Sequence, residues 1–301
     1  MTQISTSRYF DSSNNQFQAL QAQVNKLQEQ ISTGKKIAAP SDDSVGYQRL
    51  SGITQATADD QAWSSNITLA QTILQQADGT LGSITDRLQQ VQELTVQASN
   101  GTLSAKDRTT LAGNIRAAID DLVGLANTKD VRNQPLFGAA TGSTAVTQDA
   151  SGNVTFTGTG TPSAVPIGNG ISIQPSDTAT RIFGNVPTAS GPTDVFTLLN
   201  NLANTLASGG TVPAGTLDSL NAAVSQVTDV RSAAGARSAR LDLEATRLKD
   251  VGVTRETERS SIEDTDIQTA IVQLQKTSTV LQATQASFTK LSQLSLFDYI
   301  R

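Results

Sequence analysis

The sequence predicts a mainly α fold, in which long antiparallel coiled-coil-like helices from both termini carry a small β-rich domain inserted in the middle. Three observations lead there. Apolar residues recur at heptad spacing in the first and last thirds of the chain. Aromatic residues make up only 4% of 301 positions, too few for a thick globular interior. A central stretch changes to short period-two alternations bounded by Gly and Pro.

The first helix is predicted from Phe17, Leu20, Val24, Leu27 and Ile31, which repeat every three or four residues and so form one stripe. The chain then reads ISTGKKIAAPSDD. Gly34 stands where a helix C-cap takes up a left-handed conformation, and Lys35 and Lys36 lie beside the negative end of the helix dipole. Pro40 enforces an extended stop, and Ser41, Asp42 and Asp43 offer a cap and an acidic first turn to the next helix. That second helix carries Ile67, Ala70, Leu74, Ala77, Leu81, Ile84, Leu88 and Val91, and from Ser51 to Ser99 it would run roughly 70 Å. Asn100-Gly101 is a turn signal. Ser104 and Asp107 fit a capping box that opens a third helix with Leu111, Ile115, Ala118, Leu122 and Leu125.

NQPLFG, Asn133 to Gly138, ends this helical half. Between residues 139 and 193 only Asp149, Asp177 and Arg181 are charged, and five of the chain's 8 prolines fall there. NVTFTGT and NGISIQPS read as strands. Helical character resumes near Asp194, with Val227, Ala234, Leu241 and Leu248 at heptad interval and the small residues from Ser232 to Ala236 open to close helix approach. The last seam has Ile267, Leu274, Leu281 and Phe288, with Ala270, Thr277, Thr284 and Leu291 between them. The organisation expected is therefore residues 1–50 with 255–301 as terminal helices, 51–138 with 194–254 as a long-helix region, and 139–193 as the β-rich insert. A lone amphipathic helix cannot bury its seam in water, so the two terminal helices are expected to pair antiparallel and to need further neighbours.

Composition excludes several functions. With no Cys and no His there is no thiol nucleophile, no disulfide and no Ser-His-Asp triad. A net charge of −5 and no basic patch argue against nucleic acid, and no apolar run reaches the length of a membrane span. The N-terminus lacks the pattern of a Sec signal peptide. Ser32 and Lys35 match S-x-x-K, which admits a serine hydrolase. The supporting elements fail, since Ser41-Asp42-Asp43 and Lys276-Thr277-Ser278 replace S-D-N and K-T-G. The acidic clusters Asp59-Asp60, Asp120-Asp121 and Glu263-Asp264-x-Asp266 lack metal-loop spacing, so no metal or other cofactor is expected. Asn66, Asn100 and Asn153 begin N-x-Thr triplets, a pattern frequent by chance. An adhesin or regulatory coiled-coil module is a further reading of a chain with this insert.

Three segments carry a resemblance to a known family. ISTGKKIAAPSDD followed by Ser44-Val45-Gly46, the stretch from Asn66 to Ser104, and SSIEDTDIQTAIVQLQ from Ser260 to Gln275 resemble, in order, the N-terminal turn, first long helix and C-terminal helix start of bacterial flagellins and their junction relatives. The ending SLFDYI resembles members at the hook-filament junction more than the apolar tails of filament flagellins, with filament flagellin as the alternative. The resemblance implies an exported structural subunit of the bacterial flagellum that passes through the type III apparatus. It implies four partners: the first hook-associated junction protein, flagellin, copies of the chain itself in a ring or helical layer, and an export chaperone on the C-terminal helix. It also implies an inner tube of terminal helices, the long helices around it, and the insert outermost. The assembly residues expected are Phe17, Leu20, Val24, Leu27, Ile31, Ile267, Leu274, Leu281, Phe288, Leu291, Phe297 and Tyr299.

Overall fold

The structure, a computed structural model, describes the backbone of residues 2–299 and, within it, the side chains of residues 8 and 10–290. The helices are α1 (Thr2–Thr33), α2 (Ser44–Ala98), α3 (Ala105–Ala126), α4 (Ala179–Phe183), α5 (Val195–Ala207), α6 (Thr216–Glu263) and α7 (Ile267–Tyr299). Between α3 and α4 lie strands β1 (Val146–Gln148), β2 (Val154–Phe156), β3 (Val165–Gly168) and β4 (Ile171–Ile173). The fold is mainly α with a small β region in the middle. The chain divides into two units, one of residues 1–58 and 251–301, the other of residues 59–250.

In the unit of residues 59–250, the seam expected from Ile67 to Val91 is buried at every position. Leu81, Ile84, Leu88 and Val91 of α2 share a core with Ile115 and Leu122 of α3, Phe196 and Leu199 of α5, and Leu220 and Val227 of α6. Helices α3 and α5 each start at a polar residue that satisfies an orphan N–H donor. Ser104 and Asp107 form the reciprocal capping box of α3. Asp194 accepts from the Thr197 N–H at 2.8 Å to start α5. The sequence reading ran residues 194–254 together as one helical region. The structure interrupts it at Gly209 and Gly215, both with positive φ, so that α5 and α6 are separate helices.

The β region consists of two antiparallel hairpins, β1–β2 with Val146 opposite Phe156 and β3–β4 with Val165 opposite Ile173. Each rests on helices. Val146 and Val154 join the α2–α3–α5–α6 core, while Val165, Ile167 and Ile173 pack with Ile67, Ala70 and Leu74 of α2 and Ala234 and Leu241 of α6. Isolated two-stranded ribbons are marginal in water, and this support explains how such short strands persist.

Polar anchoring supplements it. Asn127, just after α3, behaves like a strand edge: its Oδ1 accepts the Ala145 and Val146 N–H groups at 2.9 and 3.1 Å, and its Nδ2 donates to the Val146 carbonyl at 3.0 Å. Buried Asp177 receives Arg237 of α6 at 2.7 and 3.1 Å and Arg181 of α4 at 2.7 Å, so its charge is paired on two sides.

Replacing Leu88 with Ala should cost about 2–5 kcal/mol, because it opens a cavity at a fully buried seam position. Leu243→Ala, at a position 73% exposed, should stay within about 0.5 kcal/mol of the parent. Urea unfolding followed by the fluorescence of Trp63, the one Trp of the chain and packed in this unit, makes the comparison.

Candidate assembly interface

The unit of residues 1–58 and 251–301 places the expected terminal seams together. The Phe288 ring meets Phe10 and Phe17 edge-on, with centroids 5.4 and 5.5 Å apart. At the other end of the pair the Thr265 N–H donates to the Gly34 carbonyl at 2.8 Å. Moving from Gly34 to Phe10 runs down α1 while moving from Thr265 to Phe288 runs up α7, so α1 and α7 are antiparallel. Val24 and Leu27 of α1 and Ala270 and Thr277 of α7 are buried, whereas Phe17, Leu20, Ile31, Leu274, Leu281 and Phe288 remain partly exposed.

Ile267 stays exposed in this pair, because it sits in the first turn of α7 beside its cap Asp266, whose carboxylate accepts the Thr269 N–H at 3.2 Å. The side chains of Leu291, Phe297 and Tyr299 lie outside the described residues. Phe10 was missed by the sequence reading, although it stands one heptad before Phe17. Outside the seam, α7 exposes Ile271, Val272 and Val280.

The helix-stop turn is built as two turns stitched to each other. Gly34 has φ +72°, the left-handed C-cap expected, and its N–H donates to the Gln30 carbonyl at 2.9 Å. Lys35 and Asp264 form an isolated antiparallel bridge, and the Lys36 N–H donates to the Glu263 carbonyl at 2.7 Å. The two lysines do not serve the dipole of α1. Lys35 Nζ contacts the Glu263 carboxylate at 2.5 Å, and Lys36 Nζ donates to the Ser261 carbonyl at 3.0 Å. They hold the end of α6, a partner far away in sequence and invisible to local pattern. Glu263 also receives Arg259, and the bond to Lys35 is the main cause that lowers its pKa below the ordinary carboxylate value.

The acidic residues divide their work. Asp42 Oδ2 accepts the Ala38 and Ala39 N–H groups, both at 3.0 Å, and its Oδ1 pairs with Lys26 Nζ at 2.9 Å. Asp43 caps α2, accepting the Val45 and Gly46 N–H groups at 3.1 and 3.0 Å. Ser41, expected to share the capping, lies exposed before these two carboxylates. Gly46 allows the turn to close, since a Cβ there would stand 2.6 Å from Ile37 Cδ1 and 2.7 Å from Asp43 Oδ2. Pro40 lies exposed in the turn, two residues before Asp42.

The Ser32–Lys35 pair has none of the surroundings of a catalytic dyad. Ser32 is exposed on the last turn of α1, and the Lys35 ammonium is engaged by Glu263. The acidic clusters are likewise occupied: Asp121 pairs with Arg87, Asp120 accepts from Gln148, and Asp266 caps α7. Among the described residues no group of carboxylates has the arrangement of a metal site, and no helix is long and apolar enough to cross a membrane.

Comparison with known proteins adds identity to geometry. Residues 4–141 match the family model of the bacterial flagellin N-terminal helical region, and residues 217–300 that of the C-terminal helical region. The chain is 29% identical to flagellar hook-associated protein 3 of Escherichia coli K12, covering 92% of this chain and 93% of that one. Similarity to flagellar hook-associated protein 3 of Salmonella typhimurium LT2 is 28%, over 99% of both chains. The crystal structure of flagellar hook-associated protein-3 from Legionella pneumophila superposes with a TM-score of 0.61 at 16% identity, covering 70% of this chain and 98% of that one, and so supports the fold.

The turn should respond to acid. The bond with Lys26, followed by the Ala39 and Ala38 N–H bonds, holds the Asp42 pKa down at about 2 from an ordinary 3.8. A depressed carboxylate contributes stability that is complete above its unfolded pKa and lost as pH falls through its folded one. Protection factors at the Ala38 and Ala39 amides, with the intrinsic pH dependence of exchange divided out, should therefore stay high at neutral pH and fall between pH 3.8 and about 2. Lys26→Gln should shift that fall to higher pH.

Proposed function

The chain belongs to the bacterial flagellin family, and on that premise we propose that it is a structural subunit of the flagellum, connecting the hook-side junction protein to the flagellin filament. The observation that carries the proposal is the end-to-end similarity to two hook-associated proteins 3, over at least 92% of the chain. Similarity to a filament flagellin, from Listeria monocytogenes, is lower at 25% and covers 90% of the chain. This favours the junction over the filament.

In this reading the chain leaves the cell through the type III apparatus, with a chaperone on the C-terminal helix beforehand. The terminal segments 1–50 and 255–301 form the inner assembly layer, 51–138 and 194–254 the layer around it, and 139–193 faces outward. Partners at the junction are the first hook-associated protein below, flagellin above, and further copies alongside. The half-buried seam residues Phe17, Leu20, Ile31, Leu274, Leu281 and Phe288, with Ile267, gain cover from neighbouring subunits, as do Leu291, Phe297 and Tyr299 further along α7. An open layer, unlike a closed dimer, gives every copy such neighbours. The role is architectural, with no catalysis.

Immunogold microscopy of intact flagella with antibody against residues 139–193 is expected to give a compact band at the top of the hook. Label spread along the filament would overturn the junction assignment in favour of a flagellin. In a fluorogenic acyl-ester assay, wild type and Ser32→Ala should show the same background rate. A loss of turnover in the variant would instead restore the hydrolase reading.

A further inference from the structure

The turn between α2 and α3 holds a chemically reactive pair, Asn100 and Gly101. Asn100 and Gly101 are both exposed, and the space around Gly101 is open. The Leu103 N–H donates to the Asn100 carbonyl at 3.3 Å and closes a four-residue turn. Within it the Asn100 side chain folds over its own backbone: Oδ1 accepts the Thr102 N–H at 3.1 Å and the Thr102 hydroxyl at 2.8 Å. The ring closed by the first of these bonds runs from Cγ through the Asn100 backbone and the Gly101 nitrogen to Thr102. It keeps the side-chain amide folded back over the Asn100–Gly101 peptide. Two donors on Oδ1 draw electron density from Cγ, as donors at a developing oxyanion do. Gly101 has no side chain to shield the approach.

We propose that Asn100 is a site of spontaneous deamidation, ahead of the chain's second Asn-Gly pair at Asn169-Gly170. The deprotonated Gly101 nitrogen attacks Asn100 Cγ and forms a new C–N bond. The bond from Cγ to Nδ2 breaks and ammonia leaves with the transferred proton, giving a cyclic imide. Water then opens the imide at either carbonyl, yielding Asp or isoaspartate at position 100. No oxidant or cofactor is required. Asn169 has the same glycine neighbour but sits in the tight link between β3 and β4, held by the pairing of Gly168 with Ile171, and no donor polarises its amide oxygen among the described residues. The products matter to the fold. A carboxylate two residues beyond Ala98 opposes the negative C-terminal end of α2, and isoaspartate lengthens the backbone by one carbon just before the Ser104 cap.

The test is to incubate the full folded chain in mildly alkaline buffer and follow both Asn-Gly peptides by mass spectrometry, with isoaspartyl methyltransferase labelling for the isomer. Expected is a gain of one mass unit at Asn100 several-fold faster than at Asn169, with the two rates converging when the chain is unfolded in urea. Thr102→Val, which removes the hydroxyl donor and leaves the backbone one, should slow the folded rate severalfold. Conversion at Asn169 equal to or faster than at Asn100 in the folded chain, or no conversion at Asn100, would overturn the proposal.

Discussion

The seam of α2 depends on residues that the chain supplies more than a hundred positions later. Ile84, Leu88 and Val91 are fully buried because α6 brings Leu220, Ala223 and Val227 into the same core. Neither helix has a reason to be stable alone, since an isolated amphipathic helix leaves its apolar stripe in water. Everything between Ala98 and Thr216 must therefore fold back and close the loop. The closure entropy grows only slowly with the length of that loop, which is how an α3, two hairpins and two shorter helices fit between the partners. The hairpins are placed by the same requirement. With so few residues per strand they borrow cover from the helices, and Asp177 and Asn127 fix them where backbone pairing alone would be too weak.

The terminal unit meets the same constraint with poorer materials. Its helices alternate large apolar residues with Ala, Thr and Ser, so the α1–α7 pair buries Val24, Leu27, Ala270 and Thr277 and leaves its larger side chains half exposed. The stitched turns compensate locally. Lys35, Lys36, Glu263 and the Gly34 carbonyl tie the start of one arm to the end of the other through backbone and charge. Lys35 is half exposed while the Glu263 carboxylate it meets is buried, so solvent screens the pair only in part. What they supply is geometry: the chain leaves α1 and enters α7 at one defined point.

Much of this was legible in the sequence because it is local. Heptad spacing identified the seams, Ser104 and Asp107 announced α3, Asp194 announced α5, and Gly34 announced its left-handed turn. What escaped depends on partners distant in sequence. Nothing near Lys35 indicates Glu263, and a helix-dipole role was the simplest local account of two lysines after a helix. Strands β1 and β3 lack enough alternating residues to stand out, and α4 is a single turn held by packing of Ile182 and Phe183. Asp43, directly before Ser44, caps α2, while Asp42 is engaged by Lys26 and the Ala38 and Ala39 amides. That division of two adjacent carboxylates follows from three-dimensional placement. Phe10 was legible too, one heptad before Phe17 on the same stripe.

The distribution of exposed apolar residues connects these two kinds of helix to function. In the unit of residues 59–250 every seam residue of α2 finds a partner within the chain, so a neighbour is not needed for burial. In the terminal unit the seam is partly satisfied and α7 also presents Ile271, Val272 and Val280 away from α1. A pair that buried all of this internally would gain stability as a monomer but would have less to gain from a neighbour. Leaving it uncovered lowers the stability of the free chain and reserves apolar surface for contact at roughly 25 cal/mol per Å² removed from water. In the proposed role, such a division suits a subunit that stays loosely packed as a free chain and becomes firm when neighbours cover it. Larger residues in place of the Ala, Thr and Ser of the terminal seams would favour the closed α1–α7 pair, so their dilution is what keeps apolar surface available for the proposed role.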